Sequence, residues 1–250
     1  EPDMYEHLCN KAVEYNTDIV ICDIIHSYLD RNIMSKQNIY PGFYEKTKLI
    51  ESVYPNMIFS GEFYKFGLHP AVWNKIFRAE LIKENIKNVD ETIKMGEDAA
   101  CTYPCLLDSN SIYILDSKYL YHYRQTESSI TSTYDEKFIE RILVLNKLLR
   151  KVNSQKNIFD LSNQLDYYMT YLIILAVNNE FDKRNTKSIK QKIEIIMNLI
   201  NDDTENIISN ISLDVISFKF KIYILLLQKK KINILYLFIS INKKLKKLIK

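Results

Sequence analysis

Glu97 and Asp98 follow Gly96 directly in the run IKMGEDAACTYPCLL (93–107) and open a stretch of helical spacing. Adjacent carboxylates at a helix start admit two readings. Acidic residues are favoured in the first turn of any helix, where the dipole and the free N–H groups stabilise them. The same place can hold a general base, because the helix terminus keeps a carboxylate ionised while a neighbouring acid raises its proton affinity. The chain has only four glycines, and Gly96 would give a tight turn or let a substrate approach closely. Asp98 and Glu97 are the first candidates for catalysis.

His122 and Arg124 are the next. In YLYHYRQ (119–125) strand alternation puts both on one face with Leu120, and Tyr119, Tyr121 and Tyr123 on the other. The face is either an ordinary polar one or two groups turned to an anion. In the second case Arg124 forks onto a phosphate, and His122 donates to it or touches a metal. Trp73, the only tryptophan, reads as core, packing lid or sugar platform, and Lys75 as a solvated or salt-bridged helix lysine. His7, His26 and His69 read as structural. Cys9, Cys22, Cys101 and Cys105 lack the clustering of a zinc site and read as buried, reduced thiols. Nothing in them argues for an oxidising compartment, so a cytoplasmic protein is expected.

The elements that must position these residues follow from periodicity. Residues 1–16 read as a helix with Tyr5, Leu8, Cys9 and Ala12 on one face, and TDIVICDII (17–25) as a buried strand. A turn at Tyr40–Gly42, a helix over 45–58 and a loop over 59–70 come next. HPAVWNKIFRAELIKENI (69–86) reads as one helix. The helix after Gly96 should be kinked or shortened by Pro104. Residues 111–125 read as two short strands joined at Asp116-Ser117, and everything beyond about Tyr134 as helical. The expectation is an α/β part (1–134) followed by an all-α part (135–250).

The net charge of +3 conceals an asymmetry. Ten of the 34 basic residues lie in 218–250, which has no acidic residue; the 24 others face 31 acidic ones, so 1–217 carries −7. The longest mainly apolar run of this tail, Ile232–Ile241, is about ten residues or ~15 Å of helix, too short to cross a bilayer. Basic flanks on apolar helices suit an anionic membrane surface; a packed helix pair with lysines in solvent is the other reading. The tail lacks the interleaved polar readers of a nucleic-acid surface, and no nucleic-acid partner is expected.

Taken in order, PDMYEHLCNKAVEYNTDIVICD, VWNKIFRAELI, GED and YLYHYRQTESSIT resemble the bacterial family 2 glycosyltransferases of the GT-A fold over roughly residues 1–134. The resemblance implies a partial, Rossmann-like GT-A unit. Its function would be inverting transfer from a nucleotide-diphosphate sugar to a hydroxyl of a cell-surface glycan or lipid-linked acceptor. Asp98 would match the family's base, with Glu97 beside it. Trp73 and Lys75, in WNKIF, would match the acceptor side. Tyr121–Arg124 and Ser128–Thr131 would match the segment closing over the donor diphosphate. The family's first ~100 residues, a nucleotide-binding βαβ half ending in an Asp-x-Asp metal motif, have no counterpart here. Asp23 and Asp30 do not replace that motif. A divalent Mn or Mg is therefore expected in the full-length enzyme, with His122 as a possible ligand, and this chain alone is expected to be inactive. The alternative is a non-catalytic, membrane-associated helical interaction protein that retains half of such a scaffold.

Overall fold

The computed structural model describes residues 1–87, 89, 92, 93, 95–125 and 133–248. The segment resembling the family at Ser128–Thr131 lies outside them. Helix α1 (Met4–Glu14) leads into β1 (Ile19–Ser27), whose first seven residues are buried. β-Branched Ile and Val packed on both faces explain this near-continuous apolar strand. β1 pairs in parallel with β5 (Ser111–Arg124), from Ile19↔Ile112 to Ser27↔Arg124. Its other edge is shared by two antiparallel strands, β4 (Lys75–Phe77) along Ile19–Ile21 and β2 (Asn32–Ser35) along Ile24–Ser27. β3 (Gly42–Glu45) runs antiparallel on the outer side of β5.

Alternation along β1 divides the packing. Val20 and Cys22 join Met4, Leu8, Leu115 and Leu120 under α1. Ile19 and Ile21 face the larger core, with α4 (Glu97–Asp108), α5 (Phe138–Lys156) and α6 (Ser162–Glu180). That core continues through α7 (Ile189–Leu199), α8 (Asp202–Asn210), α9 (Phe218–Gln228) and α10 (Ile232–Leu248). The change of character near residue 134 is thus not a break in the hydrophobic core. Gln164 on α6 shows how the two parts are joined: its amide accepts from Ile58 N–H (2.8 Å) and donates to the Tyr54 carbonyl (2.7 Å).

The α/β class with a helical C-terminal region is as expected, but several elements differ. On α1 the buried residues are Met4 and Leu8, while Tyr5 and Cys9 are exposed, so only Cys22, Cys101 and Cys105 are buried thiols. The face is rotated because β1 and β5 present Val20 and Leu120 to Met4 and Leu8. The stretch 69–86 is not one helix. Residues 69–74 are irregular, β4 pairs with the edge of β1, and only α3 (Ala79–Ile86) is helical. An unpaired strand edge with β-branched partners overrides a short helical pattern. β5 is one strand through Asp116 and Ser117; Ser117 takes φ +52°, and the pairing shifts register opposite Ile21–Ile24, a bulge rather than a turn. Pro104 does not end α4, which continues to Asp108 with Ala99–Leu107 all buried. The expected helix over 45–58 is present as a helical run from Lys46 to Asn56 that changes pitch twice, through α2 (Lys46–Lys48), a wider turn (Leu49–Val53) and a tighter one (Tyr54–Asn56).

Candidate active site at the start of α4

Gly96 precedes α4 in the left-handed region at φ +77°, ψ 20°. A side chain there would be strained and would collide with its surroundings: an added Cβ would lie 2.3 Å from Leu145 Cδ2 and 3.2 Å from the Tyr168 hydroxyl oxygen. Glycine is thus what lets α5 and α6 press against the turn that starts α4. Glu97 next to it is exposed, and Asp98 is half-buried.

The Asp98 carboxylate lies within electrostatic reach of the Lys75 ammonium and of the Val72 backbone N–H. Burial, then the Glu97 charge, raise its proton affinity above the ordinary carboxylate value, while Lys75 and the Val72 N–H oppose the rise. Burial, then the Glu97 and Asp98 charges, push the Tyr168 phenol up.

Lys75 is the pivot of this arrangement, and it is neither solvated nor helical. Its side chain is buried and donates to the His69 carbonyl (2.7 Å), the Ala71 carbonyl (2.6 Å) and Asn74 Oδ1 (2.8 Å). Three acceptors match the three N–H bonds of an ammonium group. Burial nevertheless lowers its pKa to about 7, with Asp98 resisting the fall. The irregular segment 69–74 is therefore folded around the Lys75 amino group. Asn74 also donates to the Cys22 carbonyl (2.7 Å), and Cys22 N–H donates back to the Asn74 carbonyl (3.0 Å), which fastens that segment to β1.

Trp73 lies on the adjoining wall, stacked on Tyr121 (4.2 Å, 25°) and Tyr123 (5.1 Å, 5°), with His69 at 5.8 Å. His26 on β1 meets Tyr123 edge-on at 5.8 Å. The His69 backbone N–H donates to Gln37 Oε1 (2.8 Å), and burial, Lys75 and His26 lower the His69 imidazole to about 4, so it is a neutral ring. The outcome groups the buried Lys75 amino group, a neutral imidazole and stacked aromatic rings around segment 69–74, within electrostatic reach of the Asp98 carboxylate.

Of the residues singled out from the sequence, Asp98, Glu97, Lys75 and Trp73 come together here. His122 and Arg124 do not join them. Alternation along β5 sends them to the side opposite Tyr121 and Tyr123, where His122 contacts Glu1 Oε1 (2.7 Å, Nε2) and Ser27 Oγ (3.1 Å, Nδ1), and Arg124 is exposed. Sequence reasoning set aside His69 and His26, which border the site, and did not single out Tyr168. Tyr168 comes from a helix 70 positions beyond Asp98 and had no local signal.

Comparison with known proteins places this arrangement in context. No protein-family model matches the chain. Glycosyltransferase GlyA of Streptococcus pneumoniae is 23% identical over 202 residues, which cover 80% of this chain and 28% of GlyA. Crystal structures of S. aureus TarS 1-349 share the fold, at TM-score 0.53 and 15% identity, covering 97% of this chain and 63% of that one. The TarS 1-349 complex with UDP-GlcNAc gives a TM-score of 0.55, with 97% and 64% covered. The chain therefore spans less than two thirds of these relatives. In sequence and in fold alike, it resembles the glycosyltransferases.

Proposed function

We propose that this chain forms the acceptor-side, base-carrying part of an inverting family 2 glycosyltransferase. The whole enzyme would move a sugar from a nucleotide diphosphate to a hydroxyl of a cell-surface glycan or lipid-linked acceptor. The observation that carries the reading is the environment of Asp98: a half-buried carboxylate at a helix start, raised by Glu97 and balanced by a buried lysine. Such a group can take the proton of the attacking hydroxyl as the new C–O bond forms and the sugar–diphosphate bond breaks. Attack from the side opposite the leaving group inverts the anomeric carbon. Glu97 raises the basicity of Asp98, while Lys75 and the Val72 N–H favour its ionised form. Trp73 offers an aromatic face to the acceptor.

Similarity to GlyA, named a glycosyltransferase, and to TarS, crystallised with UDP-GlcNAc and with UDP, supports a nucleotide-sugar donor. His122 and Arg124 lie away from Asp98, so a role at the diphosphate would require the donor to reach the far side of β5. Among the described residues no three His, Cys, Asp or Glu side chains group as metal ligands. The described residues do not fit a divalent ion by themselves, and Mn or Mg would take its ligands elsewhere in the whole enzyme.

The test is Asp98→Asn in the full-length enzyme. Transfer should fall by about 100-fold or more, the usual worth of a general base, with nucleotide-sugar affinity unchanged. Turnover within a few-fold of wild type would remove Asp98 from the chemistry.

A further inference from the structure

Helix α10 is apolar on two faces, and the core covers only one. Ile232, Leu235 and Ile239 are 1%, 0% and 5% exposed and pack into the main core. Ile234, Leu237 and Ile241 are 53%, 57% and 58% exposed and recur at the spacing of a single helix face, roughly 10 Å along the axis. In sequence Leu245 and Leu248 continue that spacing. Helix α9 behaves similarly: Tyr223, Ile224 and Leu227 are buried, while Phe218 and Leu225, seven apart, are exposed. A packed surface helix normally shows polar residues on its outer face.

The charge around these stripes has one sign. Residues 218–250 hold ten lysines and no Asp or Glu, and Lys219, Lys229, Lys230 and Lys231 are exposed. Lys230 reaches Glu205 of α8 at 2.8 Å; among the described residues its neighbours Lys229 and Lys231 form no ion pair. Among the described residues no helix is long and apolar enough to cross a membrane.

We propose that the exposed face of α10, together with the exposed Lys229–Lys231 cluster that leads into it, docks on an anionic lipid bilayer. Both parts of the surface are used. The lysines meet lipid phosphates and carboxylates, and Ile234, Leu237 and Ile241 enter the boundary between headgroups and acyl chains while the opposite face keeps its hold on the core. A second copy of this chain fits less well, since a symmetric contact would set one lysine cluster against another. A nucleic-acid backbone would meet the lysines but leave the apolar stripe without a partner. The inference stands apart from sugar transfer, because vesicle binding needs no catalysis.

The experiment is vesicle co-sedimentation of the whole chain. The probes are large unilamellar vesicles of phosphatidylcholine alone and of phosphatidylcholine with 30% phosphatidylglycerol, at 50 and 300 mM salt. Wild type should bind the anionic vesicles at least tenfold more tightly than the neutral ones, and more weakly at high salt. The triple variant Ile234→Asp/Leu237→Asp/Ile241→Asp changes exposed positions only and should lose at least tenfold in binding; unchanged circular dichroism and thermal midpoint would show that it folds. The double variant Lys229→Glu/Lys231→Glu should also weaken binding. Equal binding by the triple variant and wild type, or no wild-type binding at 50 mM salt, overturns the proposal. So does a wild-type dimer in light scattering that the triple variant dissolves, which would give the face to a second copy.

Discussion

Replacing Gly96 by alanine isolates the constraint on which the site is built. Two costs act there. Holding an L-residue in the left-handed region at φ +77° costs about 1–2 kcal/mol, partly offset by roughly 0.5 kcal/mol from the stiffer unfolded chain. The new Cβ would also stand 2.3 Å from Leu145 Cδ2, a fully buried side chain that cannot swing into solvent, and overpacking of this kind costs about 1–3 kcal/mol. The expected loss for Gly96→Ala is therefore about 2–4 kcal/mol. Gly61 supplies the control, since its φ is +91° and nothing lies within 4 Å of its added Cβ. Gly61→Ala should cost only the backbone part, about 0.5–1.5 kcal/mol. Urea unfolding, followed by the fluorescence of the single tryptophan and by circular dichroism, measures both as shifts of midpoint at constant slope. In Gly96→Ala/Leu145→Ala the collision is removed, so the two losses should sum to more than the double variant shows, by about 1–3 kcal/mol. Equal losses at Gly96 and Gly61, or strict additivity in the double variant, would refute the steric argument.

Other expectations concern the charges around Asp98. The folded pKa of Lys75 is lowered to about 7 from the ordinary 10.5, so between those values the unfolded chain holds a proton that the folded chain has released. Stability contributed at this position therefore rises with pH across that window, and the stability difference between wild type and Lys75→Met should grow from pH 7 to 10; a flat difference would contradict it. His69 is lowered to about 4 from 6.5, so its contribution is lost as pH falls through that interval. Histidine NMR should show its ring neutral at pH 5.5, and a midpoint near 6.5 would count against its burial beside Lys75. Gln164→Ala removes the amide that both accepts from Ile58 and donates to Tyr54, leaving buried backbone groups unpaired, and should cost about 1–3 kcal/mol by the same urea assay.

Local pattern carries information where one element buries one face. β1 was legible as an apolar, β-branched run, α4 as a glycine turn followed by acids and helical spacing, and the region beyond 134 as helices without a glycine. Asp98 and Glu97 were legible for the same reason, since a helix start favours carboxylates whatever surrounds it. What stood out of reach was everything decided by a partner distant in the chain. Whether residues 75–77 are strand or helix depends on the open edge of β1; which face of α1 is buried depends on β1 and β5; whether Asp116-Ser117 ends a strand depends on a bulge opposite Ile21–Ile24.

The same division runs through the site. By itself the amino-acid sequence determined which groups were available: two adjacent acids behind a glycine, an isolated tryptophan, a lysine in an apolar stretch, and a C-terminal region with ten lysines and no acid. Only the tertiary structure decided that Lys75 is buried and caged by the His69, Ala71 and Asn74 oxygens, that Tyr168 closes on the Gly96 turn, and that His122 and Arg124 turn away from Asp98. The reason is physical. A side chain's proton affinity and direction are set by the dielectric, charges and hydrogen-bond partners within a few ångströms of it, and most of those neighbours arrive from elsewhere in the chain.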